Sequence, residues 1–263
     1  MANNKEKINN RENILGYPIS TLSKSQCVDE ILTWIENGSK GKYFVCANPH
    51  SLEVAETDLV FGEAIKNADL IVPDGVGILI GSGLLGGTIR KRVTGSDIFW
   101  GLSRALNGKN GFSVFFLGST EKNLAKIRDR MKYDFPNIDI LGTYSPPFKA
   151  EFSEEENTVM IKEINRVEPD VLWVGMTAPK QEKWIYKNKN RLDVKLIGPI
   201  GAAFDFYTGS AKRSSSFFQE IGLEWLPRFL REPRRMWRRN LVSNPRFLLR
   251  IIGQRFNNQQ YQF

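Results

Sequence analysis

Asp74 stands directly after the apolar run Leu70-Ile71-Val72-Pro73 and before Gly75-Val76-Gly77. A carboxylate at the end of a strand, with so little bulk after it, can take a proton from a substrate hydroxyl, and an aspartate there can equally cap the next helix. Four other turns carry similar chemistry: Asn48-Pro49-His50-Ser51, Gly118-Ser119, Thr177-Ala178-Pro179-Lys180-Gln181 and Gly201-Ala202-Ala203-Phe204-Asp205. Glycines and helix N-termini in such turns offer backbone N–H groups to phosphate. Gln181 can hydrogen-bond a sugar or a phosphate. Glu182 follows it on the first turn of a helix, where a carboxylate answers the helix dipole and reads as structural. His50 is the only imidazole in the chain, suited to hydrogen bonding or to a share in proton transfer.

What is missing narrows the chemistry. One histidine cannot build the zinc sites that need two or three imidazoles, and HExxH chemistry is excluded. There is no GxxxxGK[ST] loop, no GxSxG elbow and no EF-hand loop. GVGILIG lacks the GxGxxG spacing of a dinucleotide site, and no Asp-x-Asp pair occurs, so neither a cofactor nor a metal is expected. Cys27 and Cys46 have no CxxC spacing and read as reduced thiols of a cytosolic chain. The N-terminus MANNKEKINNRENILG is too polar for a secretory signal. The longest uncharged stretch, residues 75–89, contains six glycines, whereas a membrane-spanning helix needs roughly 20 mostly apolar residues.

These turns need a frame to hold them together. Short apolar runs at 43–47, 69–72, 112–117, 138–142, 170–175 and 194–200 read as strands. Amphipathic stretches at 25–36, 51–68, 120–133, 154–167 and 178–189 read as helices, the last opened by Pro179. Alternation of this kind predicts a Rossmann-like α/β fold, a mostly parallel sheet covered on both faces, with ligands beyond the carboxyl ends of the strands. All five turns named above fall at those ends.

Charge sets the last part apart. From residue 221 onward there are nine arginines, no lysine and only Glu224 and Glu232, so nearly all of the formal +8 resides there. Trp225, Phe229, Trp237, Leu241, Leu248, Ile251 and Ile252 recur among the arginines at helical intervals, with breaks near Pro233 and Pro245. The chain therefore divides into an α/β core (1–220) and a basic amphipathic appendage (221–263). Arginine suits bidentate recognition of phosphate, which fits a diphosphate headgroup at an anionic membrane or, in a rival reading, nucleic acid. The apolar face also fits a second copy of the chain. A nucleotide-sugar epimerase or dehydrogenase would need a dinucleotide fingerprint in the turn after a strand, and GVGILIG, which follows the strand at 69–72, lacks that spacing.

The ordered motifs NADLIVPDGVGI, LLGG with RVTGSD, VFFLGS, VGMTAPKQEKWI, GAAFDFYTGSAKRSS and GLEWLPRFLREPRRMWRR resemble the bacterial WecG/TagA/CpsF glycosyltransferases over about residues 14–247. The resemblance implies an inverting, metal-independent transfer of a sugar from a UDP donor to a polyprenyl-diphosphate-linked sugar at the cytoplasmic face of the membrane, and no nucleic-acid partner. It gives Asp74 the role of base toward the acceptor hydroxyl, and Gln181 a polar contact to the donor sugar or its phosphates. Asn48 matches the family's loop asparagine. Arg228, Arg235 and Arg238 would clamp the acceptor diphosphate or the leaving UDP, while Tyr144 and Asp205 would meet the nucleotide base. Gly75, Thr94, Gly95, Ser96, Asp97, Gly118, Pro179 and Lys180 belong to the same motifs and are expected at the substrate site. The first loop departs from the pattern: it has Ala47 where many relatives have threonine, and His50 where many are acidic. That leaves the donor open among UDP-N-acetylmannosamine, its uronic acid and glucose-type donors, and brings His50 forward as a contact to the acceptor.

Overall fold

The computed structural model describes residues 10–211 and 237–260. A hairpin of β1 (Arg11–Ile14) and β2 (Tyr17–Ser20) leads into α1 (Lys24–Glu36) and β3 (Lys42–Ala47). Then come α2 (Pro49–Ala55), α3 (Leu59–Lys66), β4 (Leu70–Pro73), α4 (Val76–Leu84) and α5 (Gly95–Asn107). The second half runs β5 (Phe112–Gly118), α6 (Glu121–Asp134), β6 (Ile138–Tyr144), α7 (Glu154–Asn165), β7 (Val171–Gly175), α8 (Lys180–Asn188), β8 (Leu196–Pro199) and α9 (Ala203–Tyr207). A π-helical segment, Arg238–Ser243, opens into α10 (Asn244–Gln260).

β3 to β8 form one sheet in the order β4-β3-β8-β7-β5-β6, and every neighbouring pair is parallel. Apolar residues point to both faces, as a sheet covered on both sides requires. Tyr43, Val45, Leu172 and Val174 face a core shared with α2, α3, α7, α8 and α10, whereas Phe44, Val72, Phe116 and Trp173 face α1, α5, α6 and α9. Trp173 is fully buried there, its face filled by edge-on contact with Phe99 at 5.2 Å.

The predicted strands and helices are present, with one correction. The amphipathic stretch 51–68 is two helices. Asp58 caps α3 by accepting from the Phe61 N–H at 3.0 Å, and its other oxygen takes Lys183 of α8 at 2.9 Å. An N-cap that is also an ion-pair partner of another element ends one helix and starts the next. The hairpin, α4 and α5 were not among the predicted elements. α4 is rich in glycine, and four-residue strands carry little periodic signal.

α10 is docked into the fold by its own residues. Phe247 and Ile251 are fully buried, and Gly81 of α4 makes room for the Phe247 ring: a methyl group there would lie 3.1 Å from it. Arg250 pairs with Glu53 at 3.0 Å and Glu56 at 2.6 Å, and Arg255 donates to the Leu84 carbonyl at 2.7 Å. These two arginines of the basic segment hold protein, which narrows what an anionic partner can use. On the outward side Trp237, Leu241, Leu249, Ile252 and Phe256 are exposed. The boundary expected at 220/221 lies outside the described residues.

Candidate active site

α2 leaves the end of β3 toward one face of the sheet, and α9 leaves the end of the adjacent β8 toward the other. Between such strands the backbone opens a crevice, the usual ligand position in an open α/β sheet. The Asp74 N–H donates to the Ala47 carbonyl at 2.7 Å, which ties the turn after β4 to the end of β3. Gly75 follows with φ +99°, a conformation that L side chains rarely adopt, and it turns the chain into α4 beside Asn48. The turn is completed from the other side by the Val93 N–H, which donates to the Pro73 carbonyl at 2.7 Å and delivers the N-terminus of α5 to the same edge.

Asn48 caps α2, accepting from the Ser51 N–H at 3.0 Å. Thr94 and Asp97 form the capping box of α5: Thr94 N–H and hydroxyl donate to Asp97 at 2.9 and 2.8 Å. Burial pushes the Asp97 carboxyl up, but Lys24 at 2.8 Å and the Thr94 bonds outweigh it and hold the group below its ordinary range. Thr94 and Asp97 therefore serve the helix end. Gly95 abuts Ile200 of the turn after β8, with 3.4 Å for an added methyl, and Ser96 is buried.

Gln181 and Glu182 enter from α8, each only 5 % exposed. Gln181 Oε1 accepts from the Met176 N–H at 3.2 Å, and its Nε2 donates to Glu182 at 2.9 Å. Pro179 is the N-cap residue of α8, so the helix opens one residue after it. Lys180 is turned toward the loop after β6: its ammonium lies 3.7 Å from the Phe152 ring centroid and donates to the Lys149 carbonyl.

At the end of β5, Gly118 has φ +112° and approaches β7 so closely that a methyl would lie 2.5 Å from the Gly175 carbonyl oxygen. Ser119 takes φ +61°, and its carbonyl accepts from Ser145, next to Tyr144 at the tip of β6. Asp205 sits across this turn. Asn123 donates to Asp205 at 3.0 Å and to Ser119 Oγ at 2.9 Å, while Thr208 and Ser210 donate to Asn123. Burial raises the Asp205 carboxyl above its ordinary range. Sequence reasoning missed Asn123, which is buried on α6 and had no turn signal to mark it.

His50 lies on α2, and its Nδ1 is 2.8 Å from the hydroxyl of Ser243, at the end of the π-helical segment. It thus joins the core to the C-terminal region. Arg228 and Arg235 fall outside the described residues, and Arg238 is the first residue of the π-helical segment. The thiol of Cys46 at the end of β3 feels Asp74, Glu182 and Asp97 together and is pushed well up by burial and by those charges.

The glycosyl transferase model for the WecG/TagA/CpsF family matches residues 12–261, from β1 into the C-terminal residues. The chain belongs to the WecG/TagA/CpsF family. Two relatives are similar along most of their length. One, from Bacillus spizizenii strain W23, is 32 % identical over 225 residues, 86 % of this chain and 84 % of its own. The other, from Staphylococcus aureus strain MRSA252, is 29 % identical over 239 residues, 90 % and 91 % of the two chains. Both are named N-acetylglucosaminyldiphosphoundecaprenol N-acetyl-beta-D-mannosaminyltransferase. As a member of the WecG/TagA/CpsF family the chain is a glycosyltransferase. Among the described residues no helix is long and apolar enough to cross a membrane.

Proposed function

We propose that this glycosyltransferase moves an N-acetylmannosamine-type sugar, or a related hexose or uronic acid, from a UDP donor to a polyprenyl-diphosphate-linked N-acetylglucosamine, with inversion and without a metal ion. The observation that carries the reading is the tie of the Asp74 turn to the end of β3, in a chain 32 % identical to a named mannosaminyltransferase over 225 residues. Asp74 takes the proton of the acceptor hydroxyl as that oxygen attacks the anomeric carbon on the side opposite UDP. The amide ends of α2 and α5, Gln181, and Arg228, Arg235 and Arg238 receive the charge that develops on the leaving diphosphate. Asp205, held by Asn123, with Tyr144 and Gly118, suits the nucleoside end of the donor.

The exposed apolar residues of α10 with Arg246 support attachment to an anionic bilayer surface, where the acceptor resides. They equally suit a second copy of the chain. Binding of nucleic acid through the tail is disfavoured by the docking of Arg250 and Arg255 onto the core.

The test is UDP release by the purified protein with a panel of UDP-sugars and a short-chain polyprenyl-diphosphate-N-acetylglucosamine, EDTA being present throughout. Release that needs both donor and acceptor is expected. Release that appears only when a divalent cation is added in excess of the EDTA would overturn the metal-independent mechanism, and silence with no UDP binding would overturn the donor.

A further inference from the structure

Glu182 is the acid under the crevice to which the transfer reaction assigns no task. The helix-dipole role expected from its position would leave the carboxylate in solvent. Instead the side chain is only 5 % exposed, and its Oε2 is buried without a hydrogen-bond partner among the described residues. Its Oε1 accepts from Gln181 Nε2 at 2.9 Å.

That bond and a second one determine which way the Gln181 amide faces. Met176 N–H, a donor only, is 3.2 Å from Gln181 Oε1. Turning the amide over would set N–H against N–H at Met176 and oxygen against oxygen at Glu182. In the observed orientation one N–H of Nε2 is engaged by Glu182 and Oε1 by the Met176 N–H. On the β8 side Gly201 lies close to the amide: a methyl there would lie 3.2 Å from the Met176 carbonyl oxygen, 3.5 Å from Oε1 and 3.6 Å from Nε2.

We propose that Glu182 is a positioning residue for donor binding, which clamps the Gln181 carboxamide so that its second N–H is kept for the sugar or diphosphate of the donor. The proposal rests on the UDP-sugar reading above. Its electrostatic corollary concerns pH. Burial pushes the Glu182 carboxyl up to about 7, so a negative charge appears beneath an anionic donor as the pH rises through neutrality. The Cys46 thiol of β3 already feels the charges of Asp74 and Asp97 as well as that of Glu182, while the Asp97 carboxylate is paired with Lys24. On its own helix Lys180 is turned to Phe152, and Lys183 is paired with Asp58. Neither offsets the new charge.

Glu182→Gln keeps the acceptor oxygen and cannot ionise; Glu182→Leu removes the acceptor. For the wild type, the donor KM is expected to rise about 10-fold between about pH 6 and about pH 8.5, following the charge on one group. In Glu182→Gln that rise should vanish, while any contribution of His50 remains. Glu182→Leu should lose roughly 10- to 100-fold in kcat/KM for the donor at every pH, as a misplaced positioning group does. A Glu182→Gln profile that rises like the wild type, or a folded Glu182→Leu with full kcat/KM, overturns the inference while leaving the transferase reading intact. If Glu182→Leu does not fold, the Glu182→Gln profile decides alone. Absence of turnover together with absence of UDP binding by calorimetry overturns both.

Discussion

Asp74 and Glu182 are two carboxyl groups under one crevice with opposite environments. Asp74 lies partly open at a glycine turn, whereas Glu182 is buried against Gln181. Asp74→Asn, as the loss of a general base, should lower kcat by roughly 100-fold or more with UDP affinity nearly unchanged. Turnover and UDP calorimetry on the same preparation check it, and near-normal turnover removes Asp74 from the base role. Glu182 makes a prediction about stability. Burial pushes its carboxyl in the folded state from the ordinary 4.5 up to about 7, so the folded state binds the proton more tightly. The stability this adds is fully present below the unfolded value and is lost as pH rises through 7. Glu182→Gln should therefore be more stable than the wild type at pH 8.5 by up to about 3 kcal/mol, and the gap should close toward pH 4.5. Urea melts at both pH values measure it. The first-turn position of Glu182 was plain in the sequence, but its burial was not, because which segments pack over the start of α8 is not written in the residues of α8.

At the scale of elements, the ends of the strands were legible and the docking of helices was not. Apolar runs bounded by Asn48, Asp74, Gly118 and Gly201 marked where each βα turn lies, since turn residues and strand periodicity are local properties. The break between α2 and α3 escaped the helical pattern because Asp58 acts through a partner on α8. α10 was read as part of an appendage, yet two of its side chains are in the main core. Phe247→Ala should cost about 3–5 kcal/mol of unfolding free energy, as a fully buried ring does when truncated. Chemical denaturation decides this; a loss below about 1 kcal/mol would mean that α10 contributes little to the folded core.

For the whole molecule, the proposed membrane contact depends on which side of α10 remains outside. Leu249 and Phe256 are 68 % and 62 % exposed, while Phe247 and Ile251 on the opposite side are sealed. Replacing Leu249 and Phe256 by glutamate should reduce co-sedimentation with anionic vesicles by at least about 10-fold and leave transfer to a detergent-soluble acceptor intact. Unchanged vesicle recovery would assign this face to contact between two copies of the chain. The sequence by itself determined the parallel α/β class, the ends of the strands and the family of the chain, since periodicity, turn residues and motifs reside within a few neighbouring positions. Only the tertiary structure decided that Glu182 is a buried acid, that Asn123 holds Asp205, that His50 meets Ser243 193 residues away, and that Arg250 holds α2. Each of these depends on remote segments brought close enough to exclude water and to pair polar groups, and that is a property of packing which spacing along the chain does not encode.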